Sequence, residues 1–225
     1  MTFTKTDSAN SISRREALIL KAQELFAQKG IDAVSLNEIN KAAGQKNTSA
    51  MHYHFGNKQG LIDAIIYEHY ASIDEDINQR LDHFDALPAE QQTARALTEA
   101  NLLPFAKQLD SPRGVNYLML VSQVFLKSSD MVLKGHPEGI DSARLRAFHR
   151  MSQFMGELHE EVKAARQVMY ANLMFHSLAN YAQSAIEGEE HPFGSRDLFV
   201  SNLADTLVAL MTAPMSQETC AAIAG

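Results

Sequence analysis

Apolar residues recur along this chain at helical spacing, and no stretch alternates strictly enough to make a strand. The expected fold class is all-α. Leu18, Ala22, Leu25 and Phe26 fall at i, i+4, i+7 and i+8 behind Ser13, and Gly30 stops the run, which predicts a first helix over 13–29. Ser35 and Glu38 form a capping-box pair around Leu36, and Ile39 and Ala43 continue its face until Gly44 ends a helix of about two turns. Residues 45–48 are polar, and Asn47 or Thr48 is able to cap a second short segment, carrying Met51 and Phe55 and closed by Gly56. Asn57 then caps a long helix on which Leu61, Ile62, Ile65, Ile66 and Ile73 keep one apolar face to about Leu81.

Beyond Pro88 the apolar faces lengthen and predict helices over 89–108, 112–128, 138–157, 161–187 and 195–212, with Pro104 and Pro137 as kinks or starts. The pattern divides the chain into a disordered arm (1–12), a compact helical head (13–57), a helical body (58–213) and a flexible tail (214–225). The helix beginning near Lys58 serves both head and body. At 225 residues, 45% hydrophobic and 21% charged, the composition is that of ordinary globular domains, so a small stapled scaffold is excluded.

The lone cysteine, Cys220, can form neither an intramolecular disulfide nor a thiolate zinc site. Residues 1–12 hold no apolar stretch of signal-peptide length, and no apolar run approaches a membrane span, so the expected location is cytoplasmic. The net charge of −7 hides an asymmetry: residues 1–60 carry eight Lys or Arg against five acids, a net +3, which leaves −10 for the rest. A basic head on an acidic body suits a protein that meets a polyanion at one end. Enzyme chemistry finds no foothold: there is no Gly-x-Ser-x-Gly, His-Glu-x-x-His or phosphate-cradling glycine loop. Glu157-Leu-His-Glu-Glu161 reads as a solvated helix end, and His149, His159 and His176 could converge in the bundle as metal ligands but suit plain helix positions better. No catalytic residue, metal or cofactor is expected.

Two short helices joined by a tight glycine-containing turn within about twenty residues form the pattern of a helix-turn-helix, whose second helix enters the DNA major groove. Lys46, Asn47, Thr48 and Ser49 then fall at the start of the reading helix, with short polar groups suited to base edges and phosphates. His52 and Tyr53 are expected to face outward, and an exposed Tyr on so short a helix suits a phosphate contact better than a core. Met51 and Phe55, with Leu25, Phe26, Leu36 and Ile39, are the expected small core. Ala42, Ala43 and Gly44 should let the short helices approach, and His54 reads as structural.

The run Ser35-Leu-Asn-Glu-Ile-Asn-Lys-Ala-Ala-Gly44, followed by Tyr53-His-Phe-Gly-Asn-Lys58 and Leu61, closely resembles the N-terminal signature of the TetR family of bacterial transcriptional regulators, over about 13–66. Between Gly44 and Tyr53 the chain holds one residue more than the commonest family spacing, which leaves the register of the base-reading positions open by one. The resemblance implies a repressor that leaves a palindromic operator on duplex DNA when a small, mainly apolar effector binds the body. It also implies that Ser35 opens its helix toward a phosphate and that Lys58 grips the DNA backbone.

The body is rich in large soft side chains, which suit either a plain core or an adaptable cavity. The resemblance implies that some of them line an effector pocket, with Tyr117, Met119, Phe125, Phe148, Met151, Met155 and Met169 as the candidates. One head is too small to read a full operator, so a homodimer through 161–187 and 195–212 is expected, with Leu173, Leu178, Ala182, Leu203, Leu207 and Leu210 as its apolar row. The same residues would serve equally as intramolecular core. The alternative function is a helical interaction module whose head binds a protein partner rather than DNA.

Overall fold

The computed structural model describes residues 5–45, 49–127, 143–187 and 194–224. Within them the chain is all-α: α1 (Lys5–Lys29), α2 (Leu36–Ala42), α3 (Ser49–Phe55), α4 (Lys58–Ala86), α5 (Ala94–Ala106), α6 (Pro112–Lys127), α7 (Ala143–Phe154), α8 (Glu160–Glu187), α9 (Arg196–Thr212) and α10 (Gln217–Ala224). Short 3-10 turns at Ala89–Gln91 and Lys107–Asp110 flank α5.

Two expectations about the ends are corrected. α1 begins at Lys5 rather than 13, since no Gly or Pro interrupts the sequence before Gly30. The supposed flexible tail contains α10, because Ser216 caps it by accepting the Thr219 N–H at 3.2 Å just after Pro214 has stopped α9 from continuing. The boundaries of α5 also shift. It opens at Ala94 because the Thr93 side chain accepts the Ala96 N–H, leaving Ala89–Gln91 as a separate turn. α4 runs on to Ala86 and stops where Leu87 is held extended by the following Pro88.

Buried side chains form two clusters. Leu18, Ala22 and Phe26 of α1, Ile39 of α2, Met51 and Phe55 of α3, and Leu61, Ile62, Ile65 and Ile66 of α4 fill the first. Ile73, Ile77, Leu81 and Phe84 of the later turns of α4 join α5 to α9 in the second. α4 therefore passes through both. So does α6, whose Leu120 and Val124 sit in the first cluster while Tyr117, Leu118 and Val121 sit in the second. At about 1.5 to 3 kcal/mol per fully buried large side chain, those two residues fasten the head to α6 instead of leaving it to hang from α4 alone. Pro137 and the expected start of the 138–157 helix lie outside the described residues.

Candidate nucleic-acid interface

Ser35 adopts an extended conformation and its Oγ accepts the Glu38 N–H at 3.1 Å, so the hydroxyl is already occupied in starting α2. Lys29 bonds the Glu38 carboxylate at 2.6 Å, which lowers that carboxyl below its ordinary pKa and ties α1 to α2. Gly44, in the left-handed region at φ +67°, turns the chain out of α2 while Gln45 N–H bonds the Asn40 carbonyl at 2.9 Å. A Cβ on Gly44 would meet nothing within 4 Å, and Ala42 is exposed. For Ala42 and Gly44 the expectation of a close helix approach is thus corrected, the glycine being there for its backbone angle, while Ala43 packs half-buried on the head's core.

On α3, Met51 and Phe55 are buried in the first cluster, one turn apart. Their inward placement turns His52 and Tyr53 outward, as the spacing predicts, and Tyr53 is 84% exposed. His52 Nδ1 donates to the Gly56 carbonyl at 2.9 Å, which fixes the ring over the C-terminal end of α3. His54 is half-buried and lies edge-on to Tyr53 at 5.2 Å. Lys46, Asn47 and Thr48 lie outside the described residues, and of Ser49 only the helical backbone is described.

The junction from α3 to α4 depends on a residue that the sequence reading missed. Asn57 Oδ1 accepts the Gly60 N–H at 2.9 Å, and a Cβ built on Gly60 would lie 2.1 Å from the carbonyl oxygen of Phe55. Only glycine lets α4 begin this close to the end of α3. Lys58 also departs from expectation. Its ammonium donates to the Ile31 carbonyl at 2.6 Å and stands 5.9 Å from the centre of the Phe26 ring, so it points back across the head and ties α4 to the turn after α1. One N–H is spent there, and two remain for any phosphate.

A second set of contacts, also unforeseen, joins head to body. Glu68 of α4 bonds Arg15 of α1 at 2.8 Å and Arg113 of α6 at 2.6 Å. Beside it, buried His69 donates from Nδ1 to Gln108 Oε1 at 3.3 Å and accepts at Nε2 from Gln23 of α1 at 3.1 Å. Gln123 of α6 takes the Ile31 N–H at 2.9 Å and donates to the Phe26 carbonyl at 3.0 Å. These partners are 39 to 97 residues apart, so no local spacing announces them.

The pocket candidates separate. Phe125, Phe148, Met151 and Met155 are buried in the body's cluster, and Met119 is half-buried. Tyr117 is buried in the same cluster and stacks on His69 at the head-body junction, whereas Met169 is 57% exposed on α8 and is corrected as a pocket-lining residue. A cleft of about 280 Å³ opens instead between α5 and α9, lined by Arg95, Glu99, Leu102, Leu103, Arg196 and Val200. Its arginines are already paired, Arg95 with Glu99 and Asp205 and Arg196 with Asp110. In the predicted dimer row, Leu178, Ala182, Leu203 and Leu207 are buried inside this one chain, and Leu173 and Leu210 pack half-buried on the same core. That row is corrected to intramolecular core. Among the described residues no group of three or more His, Cys, Asp or Glu is placed to hold a metal ion, and no single helix is long and apolar enough to cross a membrane.

A capped short helix, a left-handed glycine turn and a second short helix with its polar face outward form the arrangement of a helix-turn-helix head. Residues 18–65 match the family model described as "Bacterial regulatory proteins, tetR family". That match covers the head alone and makes it similar to the N-terminal domain of this family. Solved structures similar to it include a transcription regulator from Lactobacillus plantarum (14% identity, TM-score 0.51, covering 86% of this chain and 97% of that one). A TetR variant from Acinetobacter baumannii AYE in complex with minocycline is also similar (17%, 0.48, covering 86% and 92%). A TetR family transcription regulator from Marinobacter aquaeolei VT8 is a third (19%, 0.47, covering 89% and 97%). At such identities the likeness speaks to the fold alone.

Proposed function

We propose that this regulator is a cytoplasmic homodimeric repressor whose two heads read a palindromic operator and release it when a small, mainly apolar effector enters the body. The observation that carries this reading is the outward face of α3: Met51 and Phe55 anchor the helix, while Tyr53 and the ring of His52, held by Gly56, face outward to meet a groove and its phosphates. Lys46, Asn47, Thr48 and Ser49 precede that face in sequence and are proposed as further contacts, with the two unspent N–H groups of Lys58 reaching the backbone. Two such heads on a two-fold axis would address half-sites about one helical turn apart.

The proposed coupling route is α4. Its first turns carry the α3 junction, and its middle carries Glu68 and His69, which hold α1 to α6. An effector that binds a tilted α4 better would lower operator affinity, and a coupling of about 1 to 3 kcal/mol corresponds to roughly 5- to 150-fold. Selection of bound sequences from a random duplex pool, followed by salt titration on the winner, tests the DNA reading. A palindrome should be enriched, and log affinity should fall linearly with log salt at about −0.9 per phosphate contacted. No enrichment and a flat salt response would overturn it in favour of a protein partner.

A further inference from the structure

Asn101 of α5 is 2% exposed, and its amide is half satisfied. The N–H side donates to the Tyr170 hydroxyl of α8 at 3.4 Å, with the Met174 sulfur at 3.9 Å, while the carbonyl oxygen Oδ1 is buried with no hydrogen-bond partner. Tyr170 is itself wholly buried, beside the hydroxyl of buried Thr98. Burial pushes its phenol up to about 12, so it is a neutral hydroxyl at any ordinary pH. One turn further along α5, Phe105 meets Phe175 edge-on at 4.9 Å, and Phe175 stacks on Phe125 at 4.4 Å. A polar corner therefore lies beside an aromatic wall in the buried core of the body. An orphaned buried acceptor is costly, and native interiors keep few of them.

Resting on the reading of the body as the effector-binding domain, we propose that Asn101 Oδ1 is the polar anchor of the effector site, accepting a hydrogen bond from a hydroxyl or N–H of an otherwise apolar molecule that packs on Phe105, Phe125 and Phe175. The free group is an acceptor, so the chemistry it selects is a neutral donor such as a phenol, alcohol or secondary amide. A carboxylate, ketone or ether has nothing to give it. Tyr170, by taking the amide N–H, fixes which way the carbonyl faces.

The test uses the full chain and a matched pair of probes, 4-hexylphenol and 4-hexylanisole, which share size and apolar surface but differ in the donor. By isothermal titration the wild type should bind the phenol about tenfold more tightly, the worth of one hydrogen bond. Asn101→Leu should bind both probes with the anisole's affinity. Tyr170→Phe, which frees the amide to rotate, should narrow the preference without abolishing binding, and it keeps the test alive if the leucine variant does not fold. Equal binding of both probes by the wild type, or a preference that survives Asn101→Leu, overturns the anchor and leaves the pocket standing, with a trapped water as the partner of Oδ1. Binding of neither probe overturns the anchor and the apolar-effector reading together.

Discussion

The imidazole of His69 lies flat against the ring of Tyr117, their centroids 4.3 Å apart and their planes inclined by 14°. The pair sits where α4 passes from head to body, and the imidazole also reaches Gln23 of α1 and Gln108 of the turn before α6. Burial, reinforced by the nearby Arg113 cation and opposed by the Gln108 hydrogen bond and the Glu68 charge, lowers the His69 pKa to about 4. A neutral ring stacked on a phenol is thus part of the resting junction.

That pKa has a definite sign in stability. Unfolded, the ring titrates near 6.5; folded, it resists protonation down to about 4. The contribution is complete above pH 6.5 and is lost as pH falls toward 4, at up to about 1.4 kcal/mol per unit. At pH 5 the loss is roughly 2 kcal/mol. The urea midpoint of the wild type should therefore fall more steeply between pH 7.5 and 5 than that of His69→Gln. Parallel curves would remove His69 as the titrating group.

Glu68, the neighbour of His69, shares its carboxylate between Arg15 and Arg113. Both arginines are substantially exposed, so each pair is worth only about 0 to 1 kcal/mol of stability. Glu68→Gln should leave the thermal midpoint within a few degrees of wild type, yet change operator affinity by about fivefold or more, because it removes the shared link that sets the head against α6. If affinity and stability fall only in proportion, the junction is a plain structural clamp.

The head's helices were readable because their signals are local: Ser35 with Glu38, Asn57 before Lys58, and Met51 with Phe55 one turn apart. The direction of Lys58 was not, since its acceptor, the Ile31 carbonyl, lies 27 residues upstream and arrives only with the fold. His69 carries no signal in the sequence, because its partner Gln23 is 46 residues away. On α8, apolar residues fall on more than one face, with Tyr170, Met174 and Leu178 inward and Met169 outward. Periodicity identifies such a helix without saying whether the same chain or a second copy covers each face.

Gly60 and Gly44 should respond differently to alanine. At Gly60 the new Cβ would lie 2.1 Å from the Phe55 carbonyl oxygen, so α4 must back away from α3; a loss of about 1 to 3 kcal/mol and a misplaced reading helix should follow. At Gly44 nothing stands near the new methyl, and the cost is the left-handed backbone angle alone, about 1 to 2 kcal/mol. Urea melts read the stability. Operator affinity measured where both variants are fully folded should be impaired for Gly60→Ala far more than for Gly44→Ala.

Tyr53 and Lys58 should also separate. Tyr53 is almost fully solvated, so Tyr53→Ala should keep stability within about 0.5 kcal/mol while weakening a selected operator. Lys58→Ala leaves the Ile31 carbonyl without its donor, so it should lose about 1 kcal/mol or more of stability as well as affinity. Chemical denaturation alongside fluorescence anisotropy distinguishes the two, and an operator indifferent to Tyr53→Ala would place the reading face elsewhere.

Dimerisation through α8 and α9 has to use the residues these helices turn outward, because the inward row is spent. Leu207 is wholly buried within the chain, so Leu207→Asp should unfold the body and report nothing about a partner. Met169 on α8 is 57% exposed and Leu198 on α9 is 60% exposed, and neither is needed by the intramolecular core. Met169→Asp combined with Leu198→Asp should leave the helical circular dichroism unchanged while light scattering reports half the wild-type mass. The monomer should then hold a single half-site weakly and show no gain from a second, since the effective concentration that links two heads is lost. A double variant that stays dimeric at micromolar concentration would exclude these two positions as essential to the interface and shift the search to other exposed surfaces of the body.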